Sequence, residues 1–322
     1  MQQITLKQTD LKVSRAVLGT MTFGGQVDER GSIRILEAAI DAGINFIDTA
    51  NVYNRGVTED IVGKGLVGKR KRVILASKVF GRMGDQPDQQ GLSRRAIRRA
   101  IDESLARLQT DYLDIYYLHQ PDWNVPLEES LAAMDELVRE GKVRYTASSN
   151  YAAWQVAQMQ HLAKENGWSP AVITQPMYNL LARGIEQEYM AMAKQYGIST
   201  VVYNPLAGGL LTGKHARETQ TPGTRFDNNR MYQDRYWHNQ MFDAVETLKN
   251  AAAAEGRSLI SLALNWMLHH TAADCMILGA TRLEQLQQNL AAMAEGPLSE
   301  SLLAVCDETW RGLRGTIPNY NR

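Results

Sequence analysis

Four side chains stand where short apolar runs stop. Asp48 closes NFID, Tyr53 follows in DTANVYN, Lys78 closes RVILASK and His119 closes YLDIYYLH. Taken singly, each has an ordinary structural reading: a turn cap, a surface aromatic, a solvated strand end and a core histidine. Taken together they are three ionisable groups at the carboxyl ends of three apolar runs, with a phenol close by. Such a set suits proton donation to a carbonyl undergoing reduction. A free phenol titrates near ~10 and is a weak acid at neutral pH. An adjacent ammonium favours the phenolate, so Lys78 should lower that value and make Tyr53 a better donor. Asp48 would keep Lys78 charged and aimed. His119 would donate a hydrogen bond to the carbonyl oxygen as negative charge develops there.

These groups act together only if their strands share a face. The apolar, β-branched runs are RAVLGT (15–20), NFIDT (45–49), RVILASK (72–78), YLDIYYLH (112–119), VRYTAS (143–148), AVITQ (171–175), STVVYN (199–204) and CMILG (275–279). Between them lie stretches with helical periodicity, such as SIRILEAAIDAG and SRRAIRRAIDESLARL. Ser93 before one helix and Gly43 after another are natural start and stop signals. Eight strand-then-helix units predict an α/β chain whose parallel sheet closes into a (β/α)₈ barrel. Periodicity alone does not separate this from a doubly wound open sheet. In a barrel, the carboxyl ends of the strands form one mouth, where barrel enzymes build their sites. The opening ITLKQTDLKV reads as a small N-terminal hairpin. No linker divides the chain, so 1–322 is expected to be one domain, with extra helices near its end. The segment 205–237 is the longest irregular stretch, the kind of loop that serves as a lid or binding loop.

Bulk properties narrow the classes further. Lys plus Arg and Asp plus Glu each total 35, so the net charge is zero and no bulk attraction to nucleic acid or an anionic membrane is expected. Cys275 and Cys306 form no C-x-x-C pair, which fits a reducing cytoplasm. The first residues do not read as a signal peptide, and no apolar run approaches a membrane span. No metal ligands occur at zinc spacing, and His269–His270 reads as a helix end.

Two motif matches fail their context. Gly63, Gly65 and Gly68 satisfy G-x-G-x-x-G, yet a helical pattern precedes them and a strand follows, the reverse of the dinucleotide fingerprint. GGLLTGK (208–214) approaches a P-loop, but His215 stands where Ser or Thr would hold Mg²⁺, which argues against an NTPase. A glycine-rich turn after a strand can still offer amides to a phosphate.

DTANVY, ASK and LHQPD resemble the three catalytic segments of the aldo-keto reductases, and the likeness runs over essentially the whole chain. The resemblance implies a (β/α)₈ barrel with an extended nicotinamide cofactor, NADPH or NADP, across its mouth and no Rossmann domain. LGTMTFG implies that Gly19, Thr20 and Met21 approach the nicotinamide riboside. SSN and the later glutamine imply that Ser149, Asn150 and Gln175 bind the carboxamide. YNPLAGGLLTGK resembles the family's Y-S-P-L-x-x-G-x-L-T-G-K, which implies stacking by Tyr203 and a pyrophosphate lined by Pro205, Leu206, Gly208 and Leu210, with Lys214 closing the motif. Asn204 stands there in place of the usual Ser, a change expected to alter little. GATRLEQLQQNL implies adenosine contacts from Gly279, Thr281, Arg282, Gln285 and Asn289, with Arg282 placed for a 2′-phosphate and Gln288 where Glu is common. The branch resembled holds broad-specificity aldehyde reductases and also potassium channel β subunits. Reduction of a small-molecule aldehyde or ketone is therefore the leading expectation, and a cofactor-binding partner protein the alternative. Loops 81–92, 120–127, 205–237 and the C-terminal tail should set the substrate, with Trp123, Tyr232, Trp237 and Trp310 as a candidate aromatic wall. Arg225 and Arg230 read as solvated loop charges, with a preference for an anionic substrate as the alternative. Oligomeric state is open.

Overall fold

The computed structural model describes residues 1–219, 222–227 and 229–316. Strands β1 (Gln3–Thr5) and β2 (Lys12–Ser14) form the antiparallel hairpin expected from the opening segment. Eight parallel strands follow: β3 (Ala16–Gly19), β4 (Phe46–Asp48), β5 (Ile74–Val79), β6 (Leu113–Leu118), β7 (Val143–Ser149), β8 (Ala171–Gln175), β9 (Ser199–Val202) and β10 (Cys275–Gly279). They pair in sequence order and β10 pairs with β3, so the sheet is a closed barrel and not an open one.

Strand side chains alternate between two faces. Phe46, Ala76, Ile115, Tyr117, Ala147, Ile173 and Val201 pack into one buried cluster inside the barrel, joined by Leu6 and Leu11 from the hairpin. The hairpin thus stoppers the amino end. Residues offset by one, such as Ile47, Leu75, Tyr116 and Leu118, join the larger core under the helices. The same period of two carries Asp48, two residues after Phe46, and Lys78, two after Ala76, inward at the opposite end.

The helices start and stop as their termini direct. Ser93 caps the helix Arg94–Leu108 by accepting from Ala96 N at 3.2 Å. Gly43 follows the helix Glu29–Asp41 with φ +87°, a left-handed conformation that costs glycine little. Gly63 and Gly65 lie within the helix Val57–Gly65 and Gly68 just beyond it, so these glycines do close a helix. A Cβ on Gly63 would come within 2.4 Å of Arg107 O, which makes this glycine the contact point between two helices.

The stretch after β9 is less irregular than expected. It holds a tight 3₁₀ segment, Ala207–Thr212, and a helix, Arg230–Tyr236. Gln220, Thr221 and Asn228 of that stretch, and 317–322 of the tail, lie outside the described residues. The extra C-terminal helices are present, and Asn239–Ala254 packs against Glu300–Arg314. His269–His270 do end a helix, Leu259–His270. Among the described residues no helix is long and apolar enough to cross a membrane.

Candidate active site

The four residues singled out first converge at the carboxyl end of β4, β5 and β6. Lys78 has three N–H donors and three acceptors within reach: the Asp48 carboxylate, Thr49 O at 2.8 Å and Tyr53 Oη at 3.3 Å. Because the ammonium donates to the phenol oxygen, the hydroxyl proton of Tyr53 is left to point elsewhere. Lys78 and Asp48 are almost wholly buried, and Asp48 is held from its other side by Gln175 Nε2 at 2.8 Å. Thr20 also fixes this strand end, giving N–H and Oγ1 bonds to Asp48 O at 3.1 and 2.9 Å. His119 lies one residue past β6, its N–H bonded to Val79 O, and its ring stands edge-on to Tyr53 with centroids 5.9 Å apart.

The electrostatics differ from expectation in one respect. Lys78 does lower the Tyr53 pKa, but burial acts in the opposite direction and is the larger effect, so the phenol is raised above its usual value. Sequence spacing showed the ammonium and not the burial. The phenol is therefore held protonated across neutral pH, as a donor must be before it acts. Burial pulls Lys78 down, and Asp48 with Tyr53 outweigh it, so this ammonium stays charged. Burial, then the Lys78 charge, hold His119 down at about 3. It is a neutral imidazole able to donate from one nitrogen.

That depression has a consequence for stability. An unfolded histidine titrates near ~6.5. Between that pH and about 3, the unfolded chain takes up a proton that folded His119 refuses. Stability should fall as pH drops through this window. Urea midpoints at pH 7, 5.5 and 4 are expected to decline, and less steeply in His119→Gln. Equal slopes in the two proteins would assign the effect to other groups.

The residues named for a cofactor surround the same mouth. Gly19 pairs with Asp48 on one side and Gly279 on the other. A Cβ on Gly19 would lie 2.5 Å from Ile277 Cγ2, so only glycine lets the Ile277 side chain pack this closely against the strand end. Met21 beside it is 42% exposed. Ser149, Asn150, Gln175 and Tyr203 form one network. Ser149 Oγ donates to Gln175 O at 2.9 Å, Asn150 Nδ2 to His119 O at 2.9 Å, and Tyr203 Oη to Asn150 Oδ1 at 2.7 Å.

Asn204 is more than a neutral replacement for serine. It adopts φ +67°, a region asparagine tolerates, and its Oδ1 accepts from Gly208 N at 3.0 Å. In the turn beyond Pro205, the amides of Ala207 and Gly209 bond to Asn204 O and Leu206 O. Those N–H groups are already engaged, so the turn offers a glycine surface more than a ring of free amides. Leu206 and Gly208 are half-buried, Pro205 and Leu210 buried.

Lys214 and Arg282 have no acidic partner among the described residues. Burial, then the Arg282 charge, lower the Lys214 pKa. Gln285 Oε1 accepts from Thr281 N and Oγ1 at 2.8 and 2.9 Å, which shapes the turn carrying Arg282; Asn289 is buried on the next turn of that helix, and Gln288 is exposed.

Arg225 corrects the reading of a solvated charge. It reaches over the mouth, with Nη2 3.5 Å from the Cβ position of Gly279 and Nη1 3.6 Å from Met21 Sδ and 2.8 Å from Tyr232 Oη. Its charge is felt at Tyr53. Its place beside QTPGT gave no periodic signal to favour the anionic-substrate alternative over the solvated one. Arg230 is exposed as expected, but it begins the helix Arg230–Tyr236 and does not lie in a loop, with Asp234 one turn on at 3.7 Å. The aromatic wall does not form from its four candidates. Tyr232 and Trp237 both contact Phe226, whereas Trp123 is 77% exposed on the rim of a separate cleft with Trp154 and Tyr151. Trp310 lies on the helix Glu300–Arg314.

With this geometry in hand, comparison with known proteins decides the family. The profile of the Aldo/keto reductase family matches residues 15–311. The chain belongs to that family. It is 38% identical over 325 residues to the human aflatoxin B1 aldehyde reductase member 2, covering 95% of this chain and 89% of that protein. An uncharacterized oxidoreductase of Bacillus subtilis (strain 168), YrpG, is 35% identical over 329 residues, covering 99% and 98%. A probable voltage-gated potassium channel subunit beta of Oryza sativa subsp. japonica is 34% identical over 305 residues, covering 92% and 93%. This aldo-keto reductase is accordingly an oxidoreductase of a family that acts on small carbonyl compounds with nicotinamide cofactors.

Proposed function

We propose that the chain, as one unit over 1–322, is an NADPH-dependent reductase of aldehydes or ketones in which Tyr53 gives up the proton. The observation that carries this reading is the Tyr53 oxygen held 3.3 Å from a buried ammonium at the barrel mouth. When bound, the cofactor supplies the hydride; the remaining work falls to side chains of this chain. Lys78 holds the phenol oxygen and leaves its hydrogen free to face a substrate. The neutral His119 donates a hydrogen bond to the carbonyl oxygen and steadies the charge that builds there. As the phenol proton leaves, the nearby ammonium offsets the new negative charge on Tyr53, while Asp48 and Gln175 keep Lys78 in place. Arg225, over the mouth and without an acidic partner among the described residues, suits an anionic group of cofactor or substrate.

The fit to a dinucleotide rests on two cations, Lys214 and Arg282, without carboxylate partners among the described residues. A guanidinium recognises phosphate through paired charge-assisted hydrogen bonds, and the 2′-phosphate distinguishes NADPH from NADH. Arg282→Ala should therefore weaken NADPH by about 10- to 100-fold, the usual worth of a charged hydrogen bond, and leave NADH nearly unchanged. Equal loss for both in a calorimetric titration would remove the phosphate assignment. Carbonyl-dependent oxidation of NADPH across sugar, aromatic and dicarbonyl substrates tests the activity itself. Tight cofactor binding with negligible turnover on all of them would favour the alternative, a partner protein like the channel β subunits. The complete Asp48, Tyr53, Lys78 and His119 set supports catalysis.

A further inference from the structure

The turn that follows Tyr53 has a backbone that L-residues avoid. Asn54, Arg55 and Gly56 take φ of +47°, +54° and +93°, one left-handed turn before the right-handed helix Val57–Gly65. In this region Cβ crowds the next carbonyl oxygen, so glycine enters it freely, asparagine at times and arginine seldom. Two such residues in a row persist only where their surroundings impose them, and strain of this kind gathers at working sites.

The surroundings grip the turn from two sides. Asn54 Nδ2 donates to Phe23 O at 2.7 Å and stands 3.3 Å from Met21 O and 3.2 Å from Thr58 Oγ1. Thr58 Oγ1 donates to the same Phe23 O at 2.8 Å. On the facing loop, a Cβ on Gly25 would lie 2.7 Å from Asn54 Oδ1, so the close approach needs glycine there. Behind the other end of the turn, a Cβ on Gly56 would lie 2.9 Å from Arg107 Cδ, and Arg107 Nε donates to buried Glu59 at 2.8 Å. On the side of Met21, the turn's own fastening is a single side-chain amide.

Tyr53 depends on that fastening because its side chain is lightly held. Lys78 meets the phenol oxygen through one bond of 3.3 Å, and His119 meets the ring edge-on. Where the oxygen stands therefore follows from the backbone of residues 53–56. We propose that Asn54 is a positioning residue for the reaction: by locking the left-handed turn to Phe23 O, it sets where the Tyr53 hydroxyl stands relative to the loop that carries Met21. Its role is indirect, through Tyr53. The inference rests on the reading of Tyr53 as proton donor and adds the residue that aims it. Thr20 and Met21 are the residues expected at the nicotinamide riboside, so the same amide fixes the spacing between the proton donor and the hydride donor.

The test is a cycle of Asn54→Gly, Tyr53→Phe and the double variant, with Asn54→Asp beside it. Each is read as single-turnover reduction of an aldehyde by protein saturated with NADPH. Asn54→Gly takes the left-handed backbone without strain and loses the amide bonds, so it should fold and bind NADPH as the wild type does. Its rate should fall about 10- to 100-fold, the scale of loss when a reacting group is displaced by about 1 Å. Asn54→Asp also tolerates the left-handed region, but a carboxylate cannot donate to Phe23 O, and it should lose as much. In the Tyr53→Phe background, Asn54→Gly should cost less than about twofold, because no hydroxyl is left to aim. The same factor in both backgrounds overturns the proposal and makes Asn54 an ordinary structural residue. So does a wild-type rate in either single Asn54 variant. Collapse in Tyr53→Phe with none in Asn54→Gly sinks the positioning role alone, whereas full turnover in Tyr53→Phe removes the proton-donor reading beneath it.

Discussion

Tyr53→Phe is expected to bind NADPH as the wild type does and to lose turnover by about a thousandfold, within the range general acid catalysis contributes. The change removes one oxygen and little else. Lys78 keeps its bonds to Asp48 and Thr49 O, and the Tyr53–His119 ring contact survives as a phenyl–imidazole contact. Asn54 still anchors the neighbouring turn through its bond to Phe23 O at 2.7 Å. What disappears is the hydroxyl that Lys78 holds at the mouth. The phenol pKa is raised, so the donor form persists well above neutral pH, and reduction should show no alkaline fall until the phenol itself ionises. Single-turnover reduction of an aldehyde, read with NADPH binding on the same preparation, separates the two effects. Turnover within tenfold of wild type, by an enzyme still saturated with NADPH, would take the proton-donor role away from Tyr53.

Lys78→Met is expected to cost both activity and about 3–5 kcal/mol of stability, the usual result of removing one partner from a buried ion pair. Asp48 would remain buried, with Gln175 Nε2 as its one side-chain donor. Replacing both partners, Asp48→Asn with Lys78→Met, should restore most of the stability, because no charge is then left without its counterpart. It should restore none of the turnover, because the phenol has lost its cation. Urea denaturation of the two single variants and the double variant gives the coupling directly. A Lys78→Met protein within 1 kcal/mol of wild type would mean that the pair is solvated and not a buried fixture.

Much of this molecule is written in local patterns. The order of strands and helices implied a parallel sheet whose carboxyl ends, with Asp48, Lys78 and His119, share one mouth, while Ser149 and Gln175 followed from the family resemblance. Ser93 and Gly43 marked helix ends by the chemistry of their own backbones. GKGLVG was read as a helix end because its neighbours in sequence exclude the alternative. All of these depend on residues within a few positions of one another.

Other features arise only when distant segments meet. Closure of the barrel depends on β10 pairing with β3, about 260 residues earlier in the chain, which periodicity does not report. The net rise in the Tyr53 pKa depends on how deeply the phenol is buried, and burial belongs to the assembled mouth. Arg225 lies over Gly279 and Met21 because the long segment folds back across the barrel, and the same folding sends Tyr232 and Trp237 to Phe226 and leaves Trp123 elsewhere. Spacing along a chain fixes which face a side chain takes on its own element. Its solvent, its charge partners and its reach are set by contacts with segments far off in sequence, and those exist only in the folded protein.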